Sequence, residues 1–280
     1  GNSIVNRAFF GVPLLTNHDG IYTNAVYGFM NILFKMLDEE KPDYLAVAFD
    51  LHAPTFRHRT YDAYKAGRKE MPTELRGQMP ILKEMLSAMG ICQYAMEGFE
   101  ADDILGTLSK IAEDQGIAPV IVSGDRDMLQ LASDTLKVCI PKTKGGKTET
   151  ENYYAADVVA KYGVTPTEFI DMKALMGDTS DNIPGVPGIG EKTASKIIQA
   201  YHTVEEAIAH AEEIKPKKAS ENLVAYADQA RLSYYLAKIV RNVPLELNLE
   251  QVKIGNLFTP AAYEMAKKLE FKSMLSRFEN

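Results

Sequence analysis

Residues 98–127 read GFEADDILGTLSKIAEDQGIAPVIVSGDRD. The first part, to about residue 116, is predicted as a helix that opens on acids. The second, PVIVSGDRD (119–127), is an apolar run closed by a glycine and two aspartates, the pattern of a strand buried on both faces. A helix followed at once by such a strand is half of a βαβ unit. In open sheets of that kind ligands bind beyond the carboxyl ends of the strands, and Asp125 and Asp127 fall there.

The alternation extends in both directions. Asn24 to Glu40 places Val26, Phe29, Met30, Leu33, Phe34 and Leu37 at helical spacing, and Lys41-Pro42 stops it. YLAVAFD (44–50) is another continuous apolar run, ending in Asp50. Residues 52–72 are basic, polar and aromatic without a clean period, and read as a long loop or arch. A helix opens at Pro72-Thr73 and runs to about Met89; ICQYA (91–95) and TLKVCI (135–140) are short strands. KTKGGKTETEN (142–152) reads as an exposed hairpin, and from Tyr154 onward the signal is helical almost throughout. The predicted class is α/β: a mostly parallel, Rossmann-like central sheet flanked by helices (residues 1–155, with the arch at about 52–90), then a helical region (156–280).

The 280 residues, 46% apolar and 25% charged, are those of an ordinary globular protein. No apolar run approaches the ~20 residues of a membrane span, and no secretory signal is visible, so a cytoplasmic protein is expected. Cys92 and Cys139 lack metal-ligand spacing and read as two free thiols. The net charge of −7 argues against a simple basic nucleic-acid binder. Yet RHRTYDAYKAGRK (57–69) holds five Lys/Arg and one acid, a local +4. A global minus with a local plus suits an enzyme that holds cations in an acidic pocket beside a polyanion.

Asp50, Asp125 and Asp127 end predicted strands, while Glu100, Asp102 and Asp103 share the first turn of a helix, where the helix dipole favours acids. In a parallel sheet these groups converge on one rim. Converging carboxylates repel unless some are protonated or cations sit among them. All-oxygen ligand sets suit Mg²⁺ or Mn²⁺, and two such ions can drive phosphodiester hydrolysis. Taken singly, each acid is better read as a helix cap or a solvated surface group; it is the set, clustered at strand ends and one helix start, that favours metal.

MGDTSDNIPGVPGIGEKTASKI (176–197) sets Asp178 and Asp181 before a loop carrying Gly185, Gly188 and Gly190. Glycine allows backbone to approach a ligand closely, and amides at a helix start bind phosphate oxygens without reading sequence. The alternative is a tight helix-helix turn with no ligand. Arg57, Lys65 and Arg68, with Phe56, Tyr61 and Tyr64 between them, could steer a strand and stack on its bases; a solvated charge run fits those residues as well. If Asp178 and Asp181 join the rim, the loop behind them grips a duplex at a fixed distance from the cut.

AVAFD, TFRHRTYDAYKAGR, EADD, IVSGDRD, LMGDTSDNIPGVPGIGEKTA and LEFKSMLSRF together resemble the 5′ nuclease (5′-3′ exonuclease, flap endonuclease) domain of bacterial DNA polymerase I, over essentially the whole chain. The resemblance implies a PIN-like α/β core, a helical arch, and a helix-hairpin-helix at about 170–201. It implies a metal-dependent nuclease that removes 5′ flaps and RNA primers in replication and repair, acting on flapped, nicked or primer-bearing DNA as a monomer. The metal acids fall on Asp50, Glu100, Asp102 and Asp103 for one group and Asp125, Asp127, Asp178 and Asp181 for another, with two or more ions. Lys65 and Arg68 would steady the scissile phosphate and Arg7 would lie near the floor of the site. DNA would be held by Arg57, Tyr64, Gly185, Gly188, Gly190, Lys192 and Thr193, and a potassium ion by backbone near Val186 and Ile189.

Two features depart from the family pattern. The motif DGNS normally ends a strand, whereas this sequence starts at Gly1, so its aspartate is absent, and poor activity is expected if a ligand and a strand are missing. Asn6 stands where an aromatic residue commonly precedes the arginine. The closing LEFKSMLSRF resembles the junction at which polymerase modules begin in that family, and whether such modules follow Asn280 stays open. The rival readings are a non-catalytic DNA-structure-binding module and a PIN-type ribonuclease, which would lack the hairpin of 183–197. The arch, lacking periodicity, is expected to be mobile.

Overall fold

The structure is a computed structural model that describes residues 1–145 and 147–279. Gly146, in the expected hairpin, and Asn280 lie outside the described residues. In chain order the N-terminal elements are α1 (Asn2–Gly11), α2 (Asn24–Glu40), β1 (Ala46–Ala48), α3 (Phe56–Thr60), α4 (Thr73–Arg76), α5 (Gln78–Ala88), β2 (Cys92–Tyr94), α6 (Ala101–Asp114) and β3 (Val120–Val122). A 3₁₀ turn (Arg126–Leu131), β4 (Lys137–Lys144) and β5 (Lys147–Tyr153) complete the α/β part. Helices follow: α7 (Ala155–Tyr162), α8 (Pro166–Met176), α9 (Glu191–Tyr201), α10 (Val204–Ala209), α11 (Lys217–Ala225), α12 (Ala227–Ala237), α13 (Leu249–Val252), α14 (Pro260–Lys268) and α15 (Leu275–Phe278).

The strands pair in the expected parallel sense, but in two pieces. β1 pairs with β2 in parallel; β3 pairs with β4 in parallel, and β4 with β5 as the antiparallel hairpin read at 142–152. Residues 1–3 lie between the two pieces. The Gly1 amino group donates to Ala48 O at 2.7 Å, Ser3 Oγ meets Ser123 Oγ at 3.1 Å, and Gly124 N donates to Ser3 Oγ at 3.1 Å. The N-terminal turn of α1 thus ties the end of β1 to the end of β3.

One core gathers α2 and α5. Met30, Leu82, Met85 and Leu86 are almost wholly buried there, each contributing about 1.5–3 kcal/mol of apolar burial. This corrects the expected extent of the arch: residues 73–88 are core helices, because their apolar stripe packs on α2. The boundary near 155 also needs qualification. Leu257, Phe271, Met274 and Phe278, at the end of the expected helical region, pack in this same N-terminal core. The second core joins β3, β4 and the 3₁₀ turn to α8, α9, α11 and α12, so hairpin and strand ends share one packed support.

Candidate active site

A cleft of about 340 Å³ opens beyond the carboxyl ends of β1 and β3, at the start of α6. Asp50, Glu100, Asp102, Asp125, Asp178 and Asp181 line it. Asp127 sits behind them, with carboxylate oxygens of Asp127, Asp178 and Asp181 within 4.8 Å of one another. Seven of the eight predicted acids therefore converge. Arg7 lines the cleft as well, fixed by donation to Gly124 O at 2.6 Å and Pro141 O at 3.2 Å.

Backbone donors orient several of these carboxylates. Ala101 N, at the start of α6, donates to Asp50 Oδ1 at 2.7 Å, linking the end of β1 to the helix. Asp125 caps the 3₁₀ turn by accepting Asp127 N at 2.8 Å. Asp178 Oδ1 accepts Ser180 N at 2.9 Å and Ser180 Oγ at 2.7 Å. The rim is thus set by element termini, which the strand-end reading anticipates.

Asp103 is the exception. It is fully buried and accepts Arg57 Nη1 at 2.8 Å, Arg57 Nη2 at 2.9 Å, Glu100 N at 3.0 Å and Val240 N at 2.9 Å. Its one-residue offset from Asp102 turns it away from the cleft into the body. Its role here is to hold Arg57, in place of the expected metal contact.

Arg57 and Tyr64 also depart from expectation. Arg57, 3% exposed, donates in addition to Glu100, to Leu236 O at 2.9 Å and to Lys238 O at 2.7 Å. Tyr64, 5% exposed, donates its hydroxyl to Glu100 Oε2 at 3.1 Å. Neither presents a face to a nucleic acid; both stack and bond inside the protein because Glu100 and Asp103 need buried partners. Phe56 likewise packs on Phe99 and Tyr235. The expected mobile arch is docked over residues 55–66: Lys65 N donates to Asp181 O at 2.7 Å and Asn182 Nδ2 to Ala63 O at 2.7 Å.

Cations are threaded through the acids. Lys65 Nζ bonds Glu100, and Arg68 bonds Asp181. Lys65 holds φ at 58°, a left-handed backbone unusual for a lysine and frequent at sites under functional constraint. Burial disfavours charge on Lys65, but Glu100 and Asp181 outweigh it and raise its pKa. Burial likewise works against a charged Glu100, and Lys65 and Arg57 reverse it, so Glu100 stays ionised. A third cation is not marked by any local sequence motif. Lys173, on α8, lies 3.2 Å from Asp127 and 3.0 Å from Asp178. Its position five residues before Asp178 on the preceding helix is the one signal it offers.

These cations do not neutralise the whole rim. Burial, reinforced by Asp125, Glu100 and Asp50, pushes Asp102 well above the usual carboxylate range. Burial and Asp125 push Asp127 up to about 7, against the pull of Lys173. Burial also raises Asp181, although Lys65 and Arg68 oppose it. A half-buried, all-oxygen site that raises its own acids is short of positive charge. That deficit fits a hard divalent cation.

The 177–190 loop joins α8 to α9 as a helix-hairpin-helix. Gly188 (φ 80°) and Gly190 are exposed, Gly190 being the N-cap of α9, and Lys192 and Thr193 lie in its first turn. Gly185 is buried instead. A Cβ there would stand 2.4 Å from Gly177 N, so this glycine closes the loop on its own backbone and is no surface contact. Val186 and Ile189 bury their side chains in the second core.

Two family models together cover most of the chain: 5′-3′ exonuclease, N-terminal resolvase-like domain, over residues 1–163, and 5′-3′ exonuclease, C-terminal SAM fold, over residues 164–259. DNA polymerase I of Bacillus subtilis is 47% identical over 277 residues, 99% of this chain and 31% of that protein, so the chain spans about a third of such relatives. Among solved structures, T5 5′-exonuclease with bound zinc is similar at 21% identity and TM-score 0.65, over 88% of this chain and 90% of that one. The catalytic core of Rad2 with DNA substrate is similar at 15% identity and TM-score 0.58, over 93% and 84%. At those identities the structural likeness carries the fold.

Proposed function

Because this chain belongs to the 5′-3′ exonuclease family, we propose that it is a structure-specific, metal-dependent 5′ nuclease that hydrolyses phosphodiesters at the junctions of 5′ flaps and in RNA primers. The observation that carries this reading is the convergence of six carboxylates on one cleft, with Asp127 behind them, beside a helix-hairpin-helix seated on the second core. Asp50, Glu100, Asp102 and Asp125 would hold one divalent ion, and Asp127, Asp178 and Asp181 a second. When bound, Mg²⁺ or Mn²⁺ would supply Lewis acidity at the phosphate and lower the pKa of an attacking water. Lys65 and Arg68, at the mouth of the cleft, would exchange their carboxylate partners for the phosphate oxygens and balance the charge that develops there. Arg7 would orient the strand from the floor.

The backbone at the exposed Gly188 and Gly190, with Lys192 and Thr193 in the first turn of α9, would hold duplex backbone. A potassium ion would be held by the backbone near Val186 and Ile189, at the turn that enters α9. The reading is tested by offering end-labelled 5′-flap duplex, blunt duplex and single strand at equal concentration with Mg²⁺. Preferential cutting within a few nucleotides of the flap junction is expected. Equal cutting of all three would contradict structure specificity.

A further inference from the structure

Glu151, on β5, is surrounded by cations away from the acidic rim. Arg126 Nη2 donates to its Oε2 at 2.9 Å, Lys161 Nζ lies 3.6 Å from the same oxygen, and Lys142 bonds Oε1. Arg126 and Lys161 also reach the hydroxyl of Tyr153, at 3.3 and 3.0 Å. Three cations against one carboxylate leave a local surplus of two positive charges. Lys142 and Lys161 remain 52% and 46% exposed, so the surplus faces solvent. Strand alternation puts Lys144 on the hairpin face of Lys142, paired with Lys147, while Glu149 opposes Lys142.

This cluster bridges two sites already described. Arg126 follows Asp125 and itself lines the cleft. Its Nη1 donates to the hydroxyl of Tyr162 at 3.0 Å, and the carbonyl of Tyr162 accepts Ser195 Oγ of α9 at 2.9 Å. Direct contacts therefore run from the cleft, through Arg126 and Tyr162, to the helix whose first turn belongs to the hairpin. A salt bridge that served only to brace β5 would need one cation. A polyanion passing from hairpin to cleft would draw on several, and Arg126 and Lys161 flank the contacts that join the two.

We propose that Arg126, Lys142 and Lys161 form a phosphate track that carries the backbone of duplex DNA between the helix-hairpin-helix and the cleft. Glu151 aligns the three and partly masks them until DNA is bound. The inference rests on the nuclease reading. Its contacts are to phosphate, so it adds affinity and register without base preference.

The test is the salt dependence of binding to nicked duplex DNA, measured by anisotropy in chelator, for the wild type, the double variant Lys142→Ala/Lys161→Ala, and Glu151→Gln. Two lost phosphate contacts should flatten the slope of log K against log salt by about 1.8. They should also weaken binding roughly tenfold while leaving the cleavage rate at saturating DNA unchanged. Glu151→Gln keeps a hydrogen-bonding side chain and removes the masking charge, so it should bind severalfold more tightly, which a merely structural role would not produce. An unchanged affinity and slope in the double variant, with wild type binding and cutting normally, overturns the track; so does weaker binding by Glu151→Gln at an unchanged melting temperature. A wild type that neither binds nor cuts DNA overturns the nuclease reading, and this inference with it.

Discussion

Arg57 and Asp103 form a two-bond pair, at 2.8 and 2.9 Å, between residues 46 positions apart and both shut off from solvent. The pair fixes the arch to α6 and places Glu100 at the edge of the cleft. Removing one partner leaves a buried charge uncompensated, at a cost of about 3–5 kcal/mol. Arg57→Ala should therefore lower the thermal midpoint sharply, by calorimetry, before any effect on DNA binding is considered. A variant as stable as the wild type would return Arg57 to a surface role.

Lys65 has the opposite character, since it is held at the mouth of the cleft by Glu100 and Asp181. Lys65→Ala is expected to fold normally, bind flapped DNA with similar affinity and cut it about 10²–10³-fold more slowly in single-turnover experiments. A loss in affinity alone would assign it to binding.

Metal should stabilise the fold through the same rim. At one hundred times its dissociation constant, a divalent ion bound only to the native state adds about 2.7 kcal/mol. Mg²⁺ is expected to raise the melting temperature of the wild type and to do so much less for Asp178→Asn, which removes a charge from the Asp127, Asp178 and Asp181 group. Equal shifts in both would place the ion elsewhere.

Without metal, pH acts on the rim through its raised carboxyls, Asp102, Asp127 and Asp181, of which Asp127 has a defined window. Its carboxyl is raised from 3.8 to about 7, so between those values the folded state keeps a proton that the unfolded chain releases. Stability therefore falls as pH rises from about 4 to 7. Asp171, raised to about 6 by burial, acts in the same sense over the lower part of that window. Melting in chelator should fall by a few °C across the window, and Asp127→Asn should make that fall smaller. A wild type and variant with parallel profiles would contradict the raised carboxyl.

The loop glycines divide by environment. Gly185 has φ at 62° and its Cβ would strike Gly177 N, so Gly185→Ala should destabilise the protein, seen as a lower urea midpoint. Gly188 has φ at 80° but its Cβ would meet only Asn222 Nδ2 at 3.3 Å. Gly188→Ala should be milder for stability and should weaken duplex binding through the shifted amides. The reverse ranking would mean that the loop is braced differently.

Much of this site is legible in the sequence because it depends on termini. Carboxylates after apolar runs, such as Asp50 and Asp125, land on one rim once parallel pairing is granted. Arg57 and Tyr64 mislead for a definite reason: locally they look like a basic, aromatic surface, and the acids that bury them lie 46 and 36 residues further along. The same nonlocality hides Lys173, whose partner Asp127 belongs to another element. Asp102 and Asp103 differ by one position and by a rotation of about 100° around the helix, which decides cleft from core. The hairpin of 177–190 was readable from glycine spacing, whereas which glycine faces solvent and which faces backbone required the fold.

On the proposed reading, the acidic cleft cuts phosphodiesters with a divalent ion. The most direct measurement is cleavage of a 5′-end-labelled flap duplex across a Mg²⁺ titration, with a chelator lane and with Asp181→Asn alongside. Mg²⁺-dependent cutting at the flap junction, abolished by chelator and strongly reduced in the variant, is expected. DNA that is bound yet uncut at every Mg²⁺ concentration would contradict it and favour a non-catalytic binder of DNA structure.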